Sequence, residues 1–110
     1  MSIEAMVREA VSGTEIPFSV HEYLGTEKTY LTFNANLYGT AHADDTAQAR
    51  KAKCMLHLWA PIDKNVTALR EELVQLIASQ WWATYPDTVD ASDRDGAHWV
   101  LEFEAVVNDG

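Results

Sequence analysis

Two segments in which apolar side chains occupy every second position constrain the fold of this chain most strongly. In residues 28–38, one side carries Thr29, Leu31, Phe33, Ala35 and Leu37, and the other carries Lys28, Thr32, Asn34 and Asn36. In residues 50–60, the first side carries Ala52, Cys54, Leu56, Leu58 and Ala60. A period of two is typical of a strand with one buried face. The two segments therefore predict two long strands of a sheet that is covered on one side.

Apolar residues recur at helical spacing in two other places. The first helix is predicted near the N-terminus, with Ser2 as its N-cap and Gly13 as the residue that ends it. The second helix is predicted over residues 65–80, with Asp63 or Asn65 as its cap. These helices supply the apolar stripes that can cover one face of the sheet.

The order of elements predicts the fold class. A short strand is expected over residues 18–23 and a final strand over 97–107, whereas 84–96 is predicted to be a polar, Asp-rich connection. The chain should form one α+β domain over residues 1–110, a two-layer sandwich with two helices packed on one face of the sheet. The sheet should be mainly antiparallel, with about four strands and antiparallel pairing between the early ones.

The sheet face opposite the helices is unusually apolar for a surface in contact with water. The side chains expected there, among charged ones, are Tyr30, Tyr38, Met55, Trp59, Val100 and Val106. Scattered exposed aromatic residues are common on protein surfaces. Alternatively, part of this face, or a sheet edge, is buried in an oligomer. The sequence leaves both interpretations open.

The charge distribution narrows the functional classes. The chain has 17 acidic and 8 basic residues and a formal net charge of −9, which disfavours a broad phosphate-binding surface. A basic band of Arg50, Lys51 and Lys53 interrupts this acidity and could complement an acidic surface on a neighbouring copy. No apolar run approaches the ~20 residues that cross a bilayer, and the N-terminus does not resemble a cleavable signal peptide. We therefore expect a soluble, cytoplasmically made protein.

The residue patterns favour no enzymatic centre. Cys54 and His57 have a C-x-x-H spacing, but a structural zinc needs four ligands and strand positions three apart point to opposite faces. A buried Cys54 thiol would also be a poor nucleophile. Asp44 and Asp45 are adjacent carboxylates without an evident partner base. We expect no catalytic, cofactor-binding or metal site.

The Asp-rich segment 91–96 resembles a calcium-binding loop in part. Ala91 occupies the first ligand position, however, and Arg94 places a cation among the ligands. We expect this segment to form solvated turns in which carboxylates bond their own backbone.

Two adjacent tryptophans follow the second helix. One of Trp81 and Trp82 can continue the core stripe while the other faces outward, where it would be a candidate for a partner interface. The alternative is a lid over the end of the core.

Three short motifs carry a resemblance to a known protein group. They are the run from Lys28 to Asn34 (KTYLTFN), the loop Ala43-Asp44-Asp45, and the run from Cys54 to Ala60 (CMLHLWA) that leads into a helix. With the flanking elements, residues 16–107 resemble the small tail-component proteins of long-tailed bacteriophages and prophages. That group includes tail terminators and tail-to-head joining proteins.

The resemblance implies a structural, non-enzymatic virion protein without cofactors. Such proteins form rings, commonly hexameric, at the head-proximal end of the tail. The implied partners are other copies of the chain, the tail tube protein and a head-completion or connector protein, with no membrane and no sequence-specific nucleic acid. The implied location is the virion, and the host cytoplasm during assembly.

The residue pattern, rather than the resemblance, suggests the interface candidates, which are Asp44, Asp45, Arg50, Lys51, Lys53, Trp59 and Trp82. Two alternatives stay open. One is a small cytoplasmic ligand-binding or regulatory α+β module that works as a dimer. The other is a Cys54-dependent enzyme.

Overall fold

The computed structural model describes residues 2–43 and 47–108 of the chain. The elements in chain order are α1 (Ile3–Val11), β1 (Phe18–Val20), β2 (Tyr30–Ala43), β3 (Ala47–Ala60), α2 (Thr67–Ala78), β4 (Asp87–Asp90) and β5 (Ala97–Asn108). A short 3-10 turn, Ser12–Thr14, follows α1. The described strands form one sheet in the order β1-β2-β3-β5-β4. The predicted α+β class is confirmed, with five strands instead of about four.

Three long antiparallel strands form the centre of the sheet. Strand β2 pairs with β3, and β3 pairs with β5, over nearly their full lengths. The register between β2 and β3 shifts once, between Tyr38 and Thr40. The described part of the molecule measures 52 × 24 × 24 Å, because the long axis follows these strands.

The pairing of β1 was predicted incorrectly. Strand β1 runs parallel to β2, with Phe18 opposite Leu31 and Val20 opposite Phe33. Parallel neighbours need a connection long enough to return the chain to the starting end. Residues 21–29 provide that return, whereas the sequence pattern predicts a strand that continues to residue 23.

The segment 84–96 was also predicted incorrectly, because it contains β4. This strand pairs antiparallel with β5, with Asp87 opposite Glu102 and Asp90 opposite Trp99. All four of its side chains are exposed, so no alternation of apolar and polar residues marks it. Backbone pairing with β5, rather than burial, holds this segment in place.

The core lies between the helices and one face of the sheet, which we call the covered face. Four of its largest fully buried side chains come from β2 and β3: Leu31, Phe33, Leu56 and Leu58. The helices contribute Ile3, Val7, Val11, Leu73, Val74 and Ile77 to the same cluster. Each such side chain contributes about 1.5–3 kcal/mol by leaving water. The core therefore fixes the helices on one side and leaves the opposite side, the open face, without them.

The helix boundaries follow local hydrogen bonds. The Ser2 hydroxyl accepts the Ala5 N–H at 3.2 Å, which confirms the predicted N-cap of α1. The Asn65 side chain accepts the Thr67 N–H at 3.0 Å at the start of α2. Gly13 lies in the 3-10 turn after α1, and the left-handed residue that redirects the chain is Glu15, with φ 59°.

Candidate functional site

A row of stacked rings crosses the open face at one end of the sheet. The antiparallel register places Tyr30 opposite Trp59 and Trp59 opposite His98. The centroids of Trp59 and His98 are 3.6 Å apart, and those of Tyr30 and Trp59 are 6.1 Å apart. Tyr23 adds a fourth ring, 4.5 Å from Tyr30. We call Tyr23, Tyr30, Trp59 and His98 the aromatic row.

The connection between β1 and β2 brings Tyr23 onto this row. The Tyr23 hydroxyl accepts the Glu27 N–H at 3.1 Å, so the loop closes around the ring. Gly25 lies directly against that ring, where a Cβ atom would overlap it. A glycine is therefore required at this position for the loop to wrap Tyr23.

Trp59 is held by a hydrogen bond as well as by stacking. Its indole N–H donates to the Thr32 hydroxyl at 2.9 Å. Thr32 is only 5% exposed, so this bond satisfies a polar group that water does not reach easily. The bond fixes the orientation of the Trp59 ring on the open face.

A chain of hydrogen bonds runs beside the aromatic row. His57 Nε2 lies 2.8 Å from Asn34 Oδ1, and His57 Nδ1 lies 2.8 Å from His98 Nε2. With the Asn34 oxygen as acceptor, His57 carries its proton on Nε2, and its Nδ1 accepts the N–H of His98. The two imidazoles thus form a directional pair in their neutral forms.

Burial favours these neutral forms. It lowers the pKa of His57 from 6.5, and the neighbouring His98 lowers it further. Burial also lowers the pKa of His98, although Asp93 and Asp90 act in the opposite direction. Both imidazoles are therefore predominantly uncharged at neutral pH, and this part of the open face is apolar and aromatic in character.

An open cavity of about 520 Å³ lies at the edge of the aromatic row. Tyr30, Trp59 and His98 form one wall, and the other lining residues include Glu27, Lys28, Asp93, Asp95 and Gly96. The volume falls within the range of small-molecule sites. Three carboxylates against one ammonium make the opening net acidic.

The carboxylates near the cavity are engaged in local turns. Asp90 Oδ1 accepts the Ser92 N–H at 2.9 Å, and Asp93 Oδ1 accepts the Asp95 N–H at 2.8 Å. Hydrogen bonds from Ser92 lower the pKa of Asp90. These are the turns predicted for the segment. Within residues 2–43 and 47–108, no group of three or more His, Cys, Asp or Glu side chains is arranged to hold a metal ion.

The predicted basic band is divided between the two faces. Lys51 and Lys53 are exposed on the open face, opposite Tyr38 and Asn36 of β2. Arg50 immediately precedes Lys51 in β3, so by strand alternation its side chain belongs to the other face. The two lysines lie about 20–26 Å from Trp59 along β3, and Lys53 lies opposite Glu104 of β5. The other interface candidates in this region, Asp44 and Asp45, lie outside the described residues.

The sequence pattern placed Trp82 among the interface candidates, but its side chain is buried. Trp82 is 7% exposed and belongs to the core, whereas Trp81 is 82% exposed. The backbone carbonyl of Trp82 also accepts the Val106 N–H at 2.9 Å. The expectation that one ring is buried and the other faces outward is confirmed, but Trp81 is the ring available to a partner.

Cys54 lies in the core as predicted. It is 1% exposed on the covered face, and burial raises the pKa of its thiol to about 12. His57 lies on the open face, so the C-x-x-H spacing brings no imidazole onto the thiol. The geometry therefore gives Cys54 the character of a small apolar core residue.

The histidine pair and the position of Tyr23 were not predicted from the sequence. His57 and His98 are 41 residues apart, and only the β3–β5 register brings them together. The alternation did place His57 beside Trp59 on the open face, which is the one available signal.

No protein-family model and no curated protein matches this chain. Among the described residues, no helix is long and apolar enough to cross a membrane.

Proposed function

We propose that this chain is a structural subunit of a phage tail, a tail terminator or tail-completion protein that self-associates into a ring at the head-proximal end. The open face is the observation that supports the proposal. It carries the aromatic row without a covering layer from the described part of the chain. A second copy provides such a cover.

The side chains on this face are those that protein interfaces favour. Tyrosine and tryptophan are enriched at the buried centres of interfaces, and Trp59 is held in one orientation by Thr32. Tyr38, Val89 and Val106 are 40%, 44% and 38% exposed on the same face. A contact between copies removes these apolar groups from water.

The cavity end of the open face is net acidic, whereas Lys51 and Lys53 lie further along β3, with Glu104 opposite Lys53. A contact that brings these lysines of one copy against the acidic cavity end of the next is heterologous, and such contacts close into rings when the rotation between copies allows it. The overall negative charge also disfavours phosphate binding, which suits a ring through which DNA passes. In this role the chain assembles in the host cytoplasm and contacts the tail tube and a head-completion protein in the virion.

Light scattering over a wide concentration range, followed by negative-stain imaging of the same samples, tests the proposal. We expect closed rings, with a mass near six subunits. In the Trp59→Ala variant, the apparent dissociation constant should rise at least tenfold, because an interfacial tryptophan is a typical hot spot.

Trp81→Ala is the matched control, since it removes the same ring from a site outside the open face. Loss of assembly in Trp81→Ala with normal assembly in Trp59→Ala would place the contact at the end of α2 and contradict the role of the open face. A wild-type protein that stays monomeric at every concentration would argue against self-assembly as the function.

The cavity favours a second candidate, a small dimeric ligand-binding or regulatory module. Its aromatic wall and its net acidic opening suit a small organic cation. A compact dimer that binds such a cation, with Tyr30→Ala abolishing the binding, would support this candidate. Rings without measurable cation binding would support the tail component.

A further inference from the structure

Strand β2 has a long edge that no described strand covers. Strand β1 pairs with β2 only from Leu31 to Phe33, and among residues 2–43 and 47–108 no other strand lies on that side. The β2 residues from Asn34 onward are therefore paired on one side only. An unpaired edge is a template for a strand from another chain.

The hydrogen bonds near β1 show which β2 residues direct their backbone groups outward. The Leu31 N–H donates to the Pro17 carbonyl at 2.8 Å, and the Phe33 carbonyl accepts the His21 N–H at 2.9 Å. Odd-numbered positions thus face away from β3. By strand alternation, Ala35 and Leu37 present their N–H and C=O groups at the open edge.

This edge lacks the residues that normally prevent edge-to-edge pairing. Residues 34–43 read NANLYGTAHA, without Lys, Arg, Asp, Glu or Pro. Natural edge strands are usually blunted by such residues, by shortness or by bulges. The register shift between Tyr38 and Thr40 is the one such irregularity along β2. Leu37, 51% exposed, adds an uncovered apolar side chain to the edge.

The other edge of the sheet, strand β4, is protected against pairing with a second β4. Strand β4 has four residues, all exposed, and an aspartate at each end. Two β4 edges would bring four carboxylates together, and like charges on neighbouring strands are unfavourable. Two β2 edges would bring no opposite charges together.

We infer that the β2 edge of one copy pairs with the β4 edge of a second copy, so that the sheet continues from subunit to subunit. This combination places Asp87, which lies opposite Glu102 on the open face, beside β2, two strand spacings or about 10 Å from β3. Asp90 lies opposite Trp99 and belongs to the covered face. On β3, Lys51 and Lys53 are exposed, and these flexible side chains reach across one strand. The charges therefore select the unlike pairing. The inference rests on the proposed self-assembly and adds a contact at the sheet edges to the contact at the open face.

A variant pair isolates the backbone contribution of β2. Leu37→Pro removes an outward N–H and leaves the β2–β3 ladder intact, whereas Leu37→Ala removes most of the side chain and keeps the N–H. Light scattering should show that Leu37→Pro stays monomeric at concentrations where Leu37→Ala assembles. Leu37→Lys supplies a second test that does not restrict the backbone. Circular dichroism and urea unfolding of each monomer establish that the variants are folded.

The β4 side is tested with the Asp87→Lys/Thr88→Lys variant, which leaves the Asp90 turn in place. Alone, this variant should be monomeric. A 1:1 mixture with Leu37→Pro should give a complex of two chains and nothing larger, because only one intact β2 edge and one intact β4 edge remain. A dimer of Asp87→Lys/Thr88→Lys alone would instead indicate β2–β2 pairing and overturn the inference.

Amide hydrogen exchange provides a direct measurement on the wild type. The Ala35 and Leu37 amides should exchange rapidly in dilute monomer and become at least tenfold slower in the assembly. If rings form but these amides stay unprotected and Leu37→Pro still assembles, the edge inference fails while the proposed function stands. If the wild type forms no assembly, both fail.

Discussion

The two faces of the sheet are built from the same strands but have different chemistry. On β3, Leu58 is fully buried on the covered face, and its neighbours His57 and Trp59 are half-buried on the open face. The covered face is almost entirely aliphatic or aromatic hydrocarbon. The open face combines rings with hydrogen bonds to Asn34 and Thr32. Strand alternation thus decides which face a residue joins, and the presence of a covering layer decides how polar that face is.

The largest effect that sharpens this comparison should come from Trp82. Trp82→Ala should lower the free energy of unfolding by about 3–5 kcal/mol, because a large ring is removed from a closed core. Trp81→Ala should change it by less than about 0.5 kcal/mol, since that ring is 82% exposed. Urea unfolding of the monomers measures both. Equal losses in the two variants would contradict the assignment of Trp82 to the core.

The next largest effect concerns neighbouring strand positions. Leu58→Ala should cost about 2–5 kcal/mol, since the fully buried side chain leaves a cavity. Lys53→Ala, an exposed position on the open face of the same strand, should cost about 0.5 kcal/mol or less. Chemical denaturation again provides the measurement. A loss below about 1 kcal/mol for Leu58→Ala would mean that the covered face is less tightly packed than the structure indicates.

The covered face could be predicted from the sequence, because a strand with one buried face has apolar side chains at every second position. Leu31, Phe33, Leu56 and Leu58 lie in runs with small or apolar residues at every second position, and that period identified β2, β3 and their buried side. Strand β4 has no such alternation, because its side chains are all exposed. Its position depends on backbone hydrogen bonds to β5, and these bonds require no particular pattern of side chains.

The candidate site was predicted only in part, because it depends on register. The sequence placed Trp59 on the open face and in the predicted interface. It could not bring His98 onto Trp59 or His57, since that contact joins strands separated by α2 and β4. The choice of Trp82 over Trp81 failed for a related reason. Helical periodicity alone does not show where α2 ends, and it ends at Ala78 instead of continuing to Gln80.

A smaller loss of stability is expected when the hydrogen bond that orients Trp59 is removed. Trp59→Phe keeps most of the ring but removes the indole N–H, leaving the Thr32 hydroxyl without that donor. We expect a loss of about 1 kcal/mol in the free energy of unfolding. Thr32→Val in the Trp59→Phe background should cost less than Thr32→Val alone. A double-mutant cycle without coupling would show that the bond contributes nothing to stability.

The smallest effect should be that of pH on the histidine pair. The pKa values of His57 and His98 are lowered from 6.5 in the folded chain, so between the folded and unfolded pKa values the unfolded chain binds more protons. Stability should therefore be fully present above pH 6.5 and decline as the pH falls through the folded pKa values. Urea unfolding between pH 7.5 and 5.5 should show this decline in the wild type and a flatter dependence in His57→Gln/His98→Gln. His21→Asn is the control, because asparagine tolerates the positive φ of 68° at that position and both paired rings remain. An unchanged slope in the double variant would mean that the pair does not titrate differently in the folded and unfolded chains.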